Sequence, residues 1–242
     1  RPQRSARMLA SDSSVTYGEL IEYKHSTRML AADRILDELL AAARERGGET
    51  ARRAADVLED WDREADADSR GAVLFRTFLY RHLEREGDEY ATAWSPERPL
   101  STPDGLAAPE LAAADLVAAA REVEESFGRL DVPWGDTRRL RLDSLDLPGN
   151  GSDGRLGVFR VVNYDRADSL YRAAGGDSYV AALEFAPDGV RARALIGYGN
   201  ASRPGAPHRT DQLPLVAEKE LRPVWRTRSE VEMHTSERTV IP

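Results

Sequence analysis

Apolar positions recur at a helical interval through the first half of the chain. In residues 27–46, Met29, Leu36, Leu40 and Ala43 fall on one face, with Leu39 beside them. Ser26 or Thr27 is placed to cap that helix, and Gly47-Gly48 to end it. Before it, Thr16-Tyr17-Gly18-Glu19 fits a capping box, in which hydroxyl and carboxylate each satisfy an orphan backbone N–H, with helix to about Lys24. Ala54, Leu58 and Trp61 align a helix over about 50–61. Ser69 is placed to cap a fourth helix, apolar enough around Leu74, Phe75, Phe78 and Leu79 to be largely buried. A loop with several prolines follows. Pro109 then suits the first turn of a fifth helix, which Gly128 closes.

After residue 130, alternation replaces the helical period. Arg139–Leu145 reads as an edge strand and Leu156–Tyr164 as a β-rich run. Ser178–Phe185 and Val190–Tyr198 flank the turn sequence Ala186-Pro187-Asp188-Gly189, which predicts a hairpin. Val231–His234 and Arg238–Ile241 suggest a terminal hairpin or two short strands. The expected class is therefore α+β, with a helical segment over 1–130 and an antiparallel β-rich segment over 131–242.

Charge and composition narrow the function. The net charge of −8 disfavours nucleic acid and an anionic membrane surface as partners. The chain has no cysteine, which removes disulfides, thiolate nucleophiles and cysteine zinc sites. No run of 18 apolar residues occurs. The opening RPQRSARMLAS has no apolar signal core and does not begin with Met, so the chain reads as a fragment or processed subunit of something longer.

Candidate chemistry is sparse. Gly149-Asn150-Gly151-Ser152-Asp153-Gly154 matches G-x-G-x-x-G, but a strand pattern follows where a dinucleotide site needs a helix. An ordinary loop is expected there. Asp60, Asp62, Glu64, Asp66 and Asp68 alternate as oxygen ligands of a calcium loop do. Ala65 stands where that loop needs Gly, and Gly71 where it needs Glu, so a solvated acidic loop is expected. His25, His82, His208 and His234 lack zinc-hydrolase spacing, and there is no G-x-S-x-G elbow. No metal and no cofactor are expected.

One stretch stands apart. Residues 194–221 begin as a strand and turn through Gly199-Asn200-Ala201-Ser202-Arg203-Pro204-Gly205-Ala206-Pro207-His208, leaving by Asp211-Gln212. This wording resembles the "G-Q/N-S-x-x-P-x-S-P-H-x-x-D-Q" segment of the penicillin amidase family. Trp61-Asp62 with Asp66–Phe75 resembles the family's "W-D…G-A-x-l-F" helix. Pro133-Trp134-Gly135-Asp136 with Arg138-Arg139-Leu140 resembles its "p-W-G" turn. Gly175-Gly176-Asp177-Ser178 resembles its "G-G-x-S" strand entry, although Tyr179-Val180 departs from the Arg usual there.

The resemblance implies part of the αββα sandwich of an N-terminal-nucleophile hydrolase. It implies cleavage of an amide that releases an acyl chain from a β-lactam nucleus, homoserine lactone or lipopeptide. The nucleophilic Ser and the oxyanion-hole Asn are expected upstream, leaving this chain inactive alone. Arg1, or Arg4, matches a catalytic-shell arginine of the family. Asn200, His208, Asp211 and Gln212 form the signature loop, where His208 is expected to lock the loop by hydrogen bonding. The implied partners are the α subunit, the N-terminal part of the β subunit and a small acyl amide. A secreted or periplasmic location is implied. The alternative is a self-standing α+β binding module without catalysis, and an enzyme complete in these residues is the third reading.

Overall fold

The computed structural model describes residues 1–85 and 90–240. Its helices, in order, are α1 (Pro2–Ala10), α2 (Tyr17–Lys24), α3 (Leu30–Arg46), α4 (Gly48–Glu59), α5 (Ala72–Leu83), α6 (Pro109–Phe127), α7 (Trp134–Thr137), α8 (Leu213–Glu218) and α9 (Arg228–Met233). The strands are β1 (Tyr90–Thr92), β2 (Asp104–Leu106), β3 (Arg138–Leu142), β4 (Leu145–Pro148), β5 (Val162–Ala167), β6 (Leu170–Gly176), β7 (Tyr179–Ala186), β8 (Gly189–Ile196) and β9 (Arg222–Pro223). The chain divides into two compact units, residues 1–177 and 178–242. This division falls later than the change of composition near residue 130, because strands β3 to β6 belong to the helical unit.

In the first unit, α3, α4, α5 and α6 pack around one apolar core. Leu36, Leu39, Leu58, Phe75, Phe78 and Leu116 are buried in it. The Thr16–Glu19 box forms on both sides, and Gly128 closes α6 in the left-handed region. A four-stranded sheet, ordered β4-β3-β6-β5, completes the unit. Its pairs are antiparallel except β3 with β6, which run parallel. Arg139–Leu145 is thus not an edge strand. The chain turns back at Asp143, whose φ is 53°, and β3 lies between β4 and β6. Nor is Leu156–Tyr164 one strand. Leu156 and Val158 are fully buried in the helical core, and the strand begins only at Val162. Apolar residues at alternate positions mark burial, and here the helices bury them.

Two predicted caps are corrected. The α3 helix starts after Met29 without a side-chain cap. Thr27 is occupied elsewhere, its hydroxyl 2.8 Å from Glu64 Oε2 and 2.7 Å from Asp66 Oδ1. The α5 helix starts after Gly71, not Ser69. Gly71 sits at φ 119°, and a Cβ there would lie 2.6 Å from that of Trp61. Ser69 Oγ instead donates to Asp62 Oδ1 at 3.2 Å, and its carbonyl accepts from Trp134 N at 3.0 Å.

The acidic run is therefore solvated in part: Asp60, Asp62 and Asp68 are exposed, whereas Glu64 and Asp66 are half-buried and held by Thr27. Glu64 N donates to Asp62 Oδ1 at 2.9 Å, and Arg63 reaches Asp37 at 2.7 Å. Among the described residues no cluster of His, Asp and Glu is arranged to hold a metal ion. The same loop collects two other segments: Gly135 N donates to Ala67 O at 2.8 Å and Gly151 N to Ala65 O at 2.9 Å. The glycine at 149 is needed for close approach, since a Cβ would fall 2.5 Å from the Tyr164 hydroxyl.

In the second unit, β7 and β8 form the predicted hairpin, paired from Tyr179–Ile196 to Ala186–Gly189, and β9 flanks β8. The terminal hairpin is absent. Val231–Met233 lie in α9, started by a second capping box of Thr227 and Glu230. That box competes successfully with the short alternation of residues 231–234. Residues 238–240 form no strand, and Ile241 lies outside the described residues. No helix among the described residues is long and apolar enough to cross a membrane.

Candidate functional site

The sequence-predicted site residues fall into one group in each unit. In the first, Arg1 Nη2 lies 2.8 Å from Asp177 Oδ1, and Lys24 Nζ binds Asp177 Oδ2. Both cations also stand over the Phe159 ring, at 5.6 and 5.0 Å from its centroid. Asp177 is held in turn by Val161, whose N–H donates to Oδ2 at 3.2 Å. Burial lowers the Lys24 ammonium pKa, against the opposing pull of Asp177. Arg4, the other candidate, reaches Ser26 Oγ at 3.2 Å.

In the second unit the signature loop closes on itself. Gln212 is buried. Its Oε1 accepts from Ile196 N at 3.0 Å and its Nε2 donates to Asn200 Oδ1 at 3.2 Å. Ala201 N donates to His208 O at 3.1 Å. His208 and Asp211 pair apart from that clasp, Nδ1 to Oδ2 at 3.0 Å, and both stay largely in water. The loop therefore joins Asn200 with Gln212, and His208 with Asp211, as two separate pairs.

A consequence follows for Gln212→Ala. The variant empties the space of a buried side chain and removes the acceptor of the Ile196 N–H, which should cost about 1–3 kcal/mol in a urea titration. His208→Ala, at an exposed position, should stay within about 0.5 kcal/mol of the parent. Equal effects would place the strength of the loop elsewhere.

Three polar residues were not among the sequence-predicted site residues. Arg138 is fully buried between the rings of Trp134 and Tyr171, at 4.4 and 4.5 Å from their centroids. Burial pushes its guanidinium down to about 9. Asp115 and His82 are buried between α5 and α6, with His82 Nδ1 3.0 Å from Asp115 Oδ2. Asp115 was discoverable, because it interrupts the apolar stripe Ala112, Leu116, Ala119 and Val123 of α6.

The arrangement of helices and sheets is part of an N-terminal-nucleophile hydrolase fold. A thermostable penicillin G acylase from Alcaligenes faecalis superposes with a TM-score of 0.53 over 99% of this chain and 52% of its own, at 15% identity. The penicillin amidase family profile matches residues 1–233, and the chain belongs to that family. Among curated relatives, an acyl-homoserine lactone acylase PvdQ of Pseudomonas syringae pv. tomato is 27% identical over 197 residues, covering 78% of this chain and 26% of its own length. An aculeacin-A acylase of Actinoplanes utahensis is 28% identical over 221 residues, covering 84% and 27%. The chain thus spans about a quarter of the length of these relatives.

Proposed function

We propose that this chain is the C-terminal portion of the β subunit of a penicillin-amidase-type acylase. The parent enzyme hydrolyses an amide and releases an acyl chain from an amine such as a β-lactam nucleus, homoserine lactone or lipopeptide. In this reading the nucleophile is a Ser exposed at the N-terminus of a processed subunit, with its own α-amine as base. An oxyanion hole stabilises the tetrahedral intermediate. Those groups come from the rest of the parent protein, the α subunit and the N-terminal part of the β subunit. Arg1 is the catalytic-shell arginine, oriented by Asp177 and Phe159. Asn200, His208, Asp211 and Gln212 keep the signature loop in shape.

The observation that carries the reading is the state of β7. It is the outer strand of its sheet, with β8 as its neighbour. Val180 and Ala182 are buried, whereas Tyr179, Leu183 and Phe185 are exposed at 65%, 51% and 81%. A bare, apolar outer strand invites association unless another segment covers it. Its cover, in this reading, is a further part of the same acylase.

Intact mass measurement and N-terminal sequencing of the purified protein test this, followed by hydrolysis assays on chromogenic N-acyl amides. The reading expects a longer polypeptide with N-terminal Ser to co-purify, activity in that assembly and none in residues 1–242 alone. A solitary, cooperatively folded chain that binds no second polypeptide would instead favour a self-standing binding module. Amide hydrolysis by the isolated chain would sink the division of labour proposed here.

A further inference from the structure

A cavity of about 130 Å³ opens within the first unit between α5, α6 and the turn side of β5 and β6. Nothing in the acylase reading uses it. Arg138 lines this cavity and is 2% exposed. Among the described residues its guanidinium makes one hydrogen bond, from Nη1 to Thr137 Oγ1 at 2.7 Å, and no ion pair. Burying a guanidinium without an acid is unfavourable, so a group this placed usually meets a partner of opposite charge. Its guanidinium carbon stands over the rings of Trp134 and Tyr171, at 4.4 and 4.5 Å from their centroids. Beyond the bond to Thr137, its N–H groups belong to a planar fork matched to a carboxylate.

The surroundings agree in charge and in shape. Arg166 adds a second cation to the lining. Glu122 is the acid there, and it is engaged by Arg81 at 2.8 Å. Nearby Arg76 lies 3.8 Å from Asp153, outside the lining. Thr77 and Ser126 offer hydroxyls, while Val73, Val123 and Phe127 supply an apolar wall. A cavity near 150 Å³ accommodates a benzene ring, and this one is somewhat smaller and opens to solvent, so benzoate is an upper bound on the size of the guest.

We propose that this cavity is a binding site for a small monocarboxylate, with the carboxylate on the N–H fork of Arg138 and its apolar part against Val73, Val123 and Phe127. The fork matches both anions, carboxylate and phosphate, so the apolar wall, which inorganic phosphate cannot use, is what favours a carboxylate carrying an apolar part.

The test follows thermal unfolding of the purified protein, with every chain that co-purifies, in sodium benzoate, sodium acetate or inorganic phosphate. Sodium chloride at matched ionic strength is the reference. Benzoate at ten times its Kd should raise Tm by about 3–6 °C, and acetate and phosphate, which cannot use the apolar wall, by less. Arg138→Met, which replaces the charge by an apolar chain of similar length, should keep its fold and lose the benzoate shift. Ser169→Tyr keeps Arg138 but narrows the mouth from an exposed turn position, and should also lose the shift. It carries the test by itself if Arg138→Met fails to fold. No benzoate shift beyond chloride would overturn the proposal, as would a shift that survives both substitutions. A phosphate shift exceeding that of benzoate would overturn the carboxylate assignment.

Discussion

Asp115→Ala should destabilise the first unit by about 3 kcal/mol or more, because it leaves charge and hydrogen-bonding groups buried without their partner. Asp115 is 1% exposed on the inner face of α6. Arg85 Nε donates to its Oδ2 at 2.7 Å and Arg85 Nη2 to Oδ1 at 2.5 Å. His82 Nδ1 completes the set at 3.0 Å, and an ionised carboxylate can only accept, so that nitrogen carries its hydrogen. Burial pushes the Asp115 carboxyl up, but the hydrogen bonds from Arg85 and His82 hold it below its ordinary 3.8. Arg85 remains half in water, which keeps the expected loss near the lower end for a broken buried pair.

The sign of the pH dependence follows. A carboxyl whose folded pKa is depressed contributes stability above its unfolded value and loses it as pH falls through the folded one. The gap between the parent and Asp115→Asn should therefore be full at neutral pH and shrink below about pH 4. Urea titrations at a series of pH values measure it. A gap that stays constant down to pH 3 would mean that the carboxylate charge contributes nothing.

Trp134→Ala is expected to cost about 3–5 kcal/mol, as for other large buried side chains. Trp134 is fully buried and meets Tyr164 edge-on at 6.2 Å between centroids. The Arg138 guanidinium also stands over the Trp134 ring. Removing the indole opens a cavity and strips that cation of a ring, so two unfavourable terms add. Trp134→Phe should be much milder, about 1–2 kcal/mol, because among the described residues the indole Nε1 has no hydrogen-bond partner to lose. Tm and the denaturant midpoint distinguish the two variants. Equal losses would show that the indole nitrogen matters through a contact made only in solution.

What was legible along the chain was local. The Thr16–Glu19 box, the Pro109 start and Gly128 stop of α6, and the β7–β8 hairpin all follow from interactions within a few residues. The four family-like segments were legible as wording, and the family assignment follows them. The structure then supplies a physical reason for two of them, the 61–75 and 133–140 segments, to occur together. The 61–71 loop, the Trp134 turn and the Gly149–Gly151 loop bond to each other's backbones, so each needs the others in place.

The sequence by itself determined the helices α2 to α6, the β7–β8 hairpin with its turn and membership of the family, because period, capping and glycine placement act at short range. Only the tertiary structure decided the rest. Thr27 and Ser69 stand at good capping positions, yet their hydroxyls go to Glu64, Asp66 and Asp62, partners up to 39 residues away. Arg138 sits in a strand pattern that any exposed arginine would share, and its burial exists only because Trp134 and Tyr171 close over it. Hydrogen bonding and desolvation act through space, so chain order alone does not reveal which polar groups they single out.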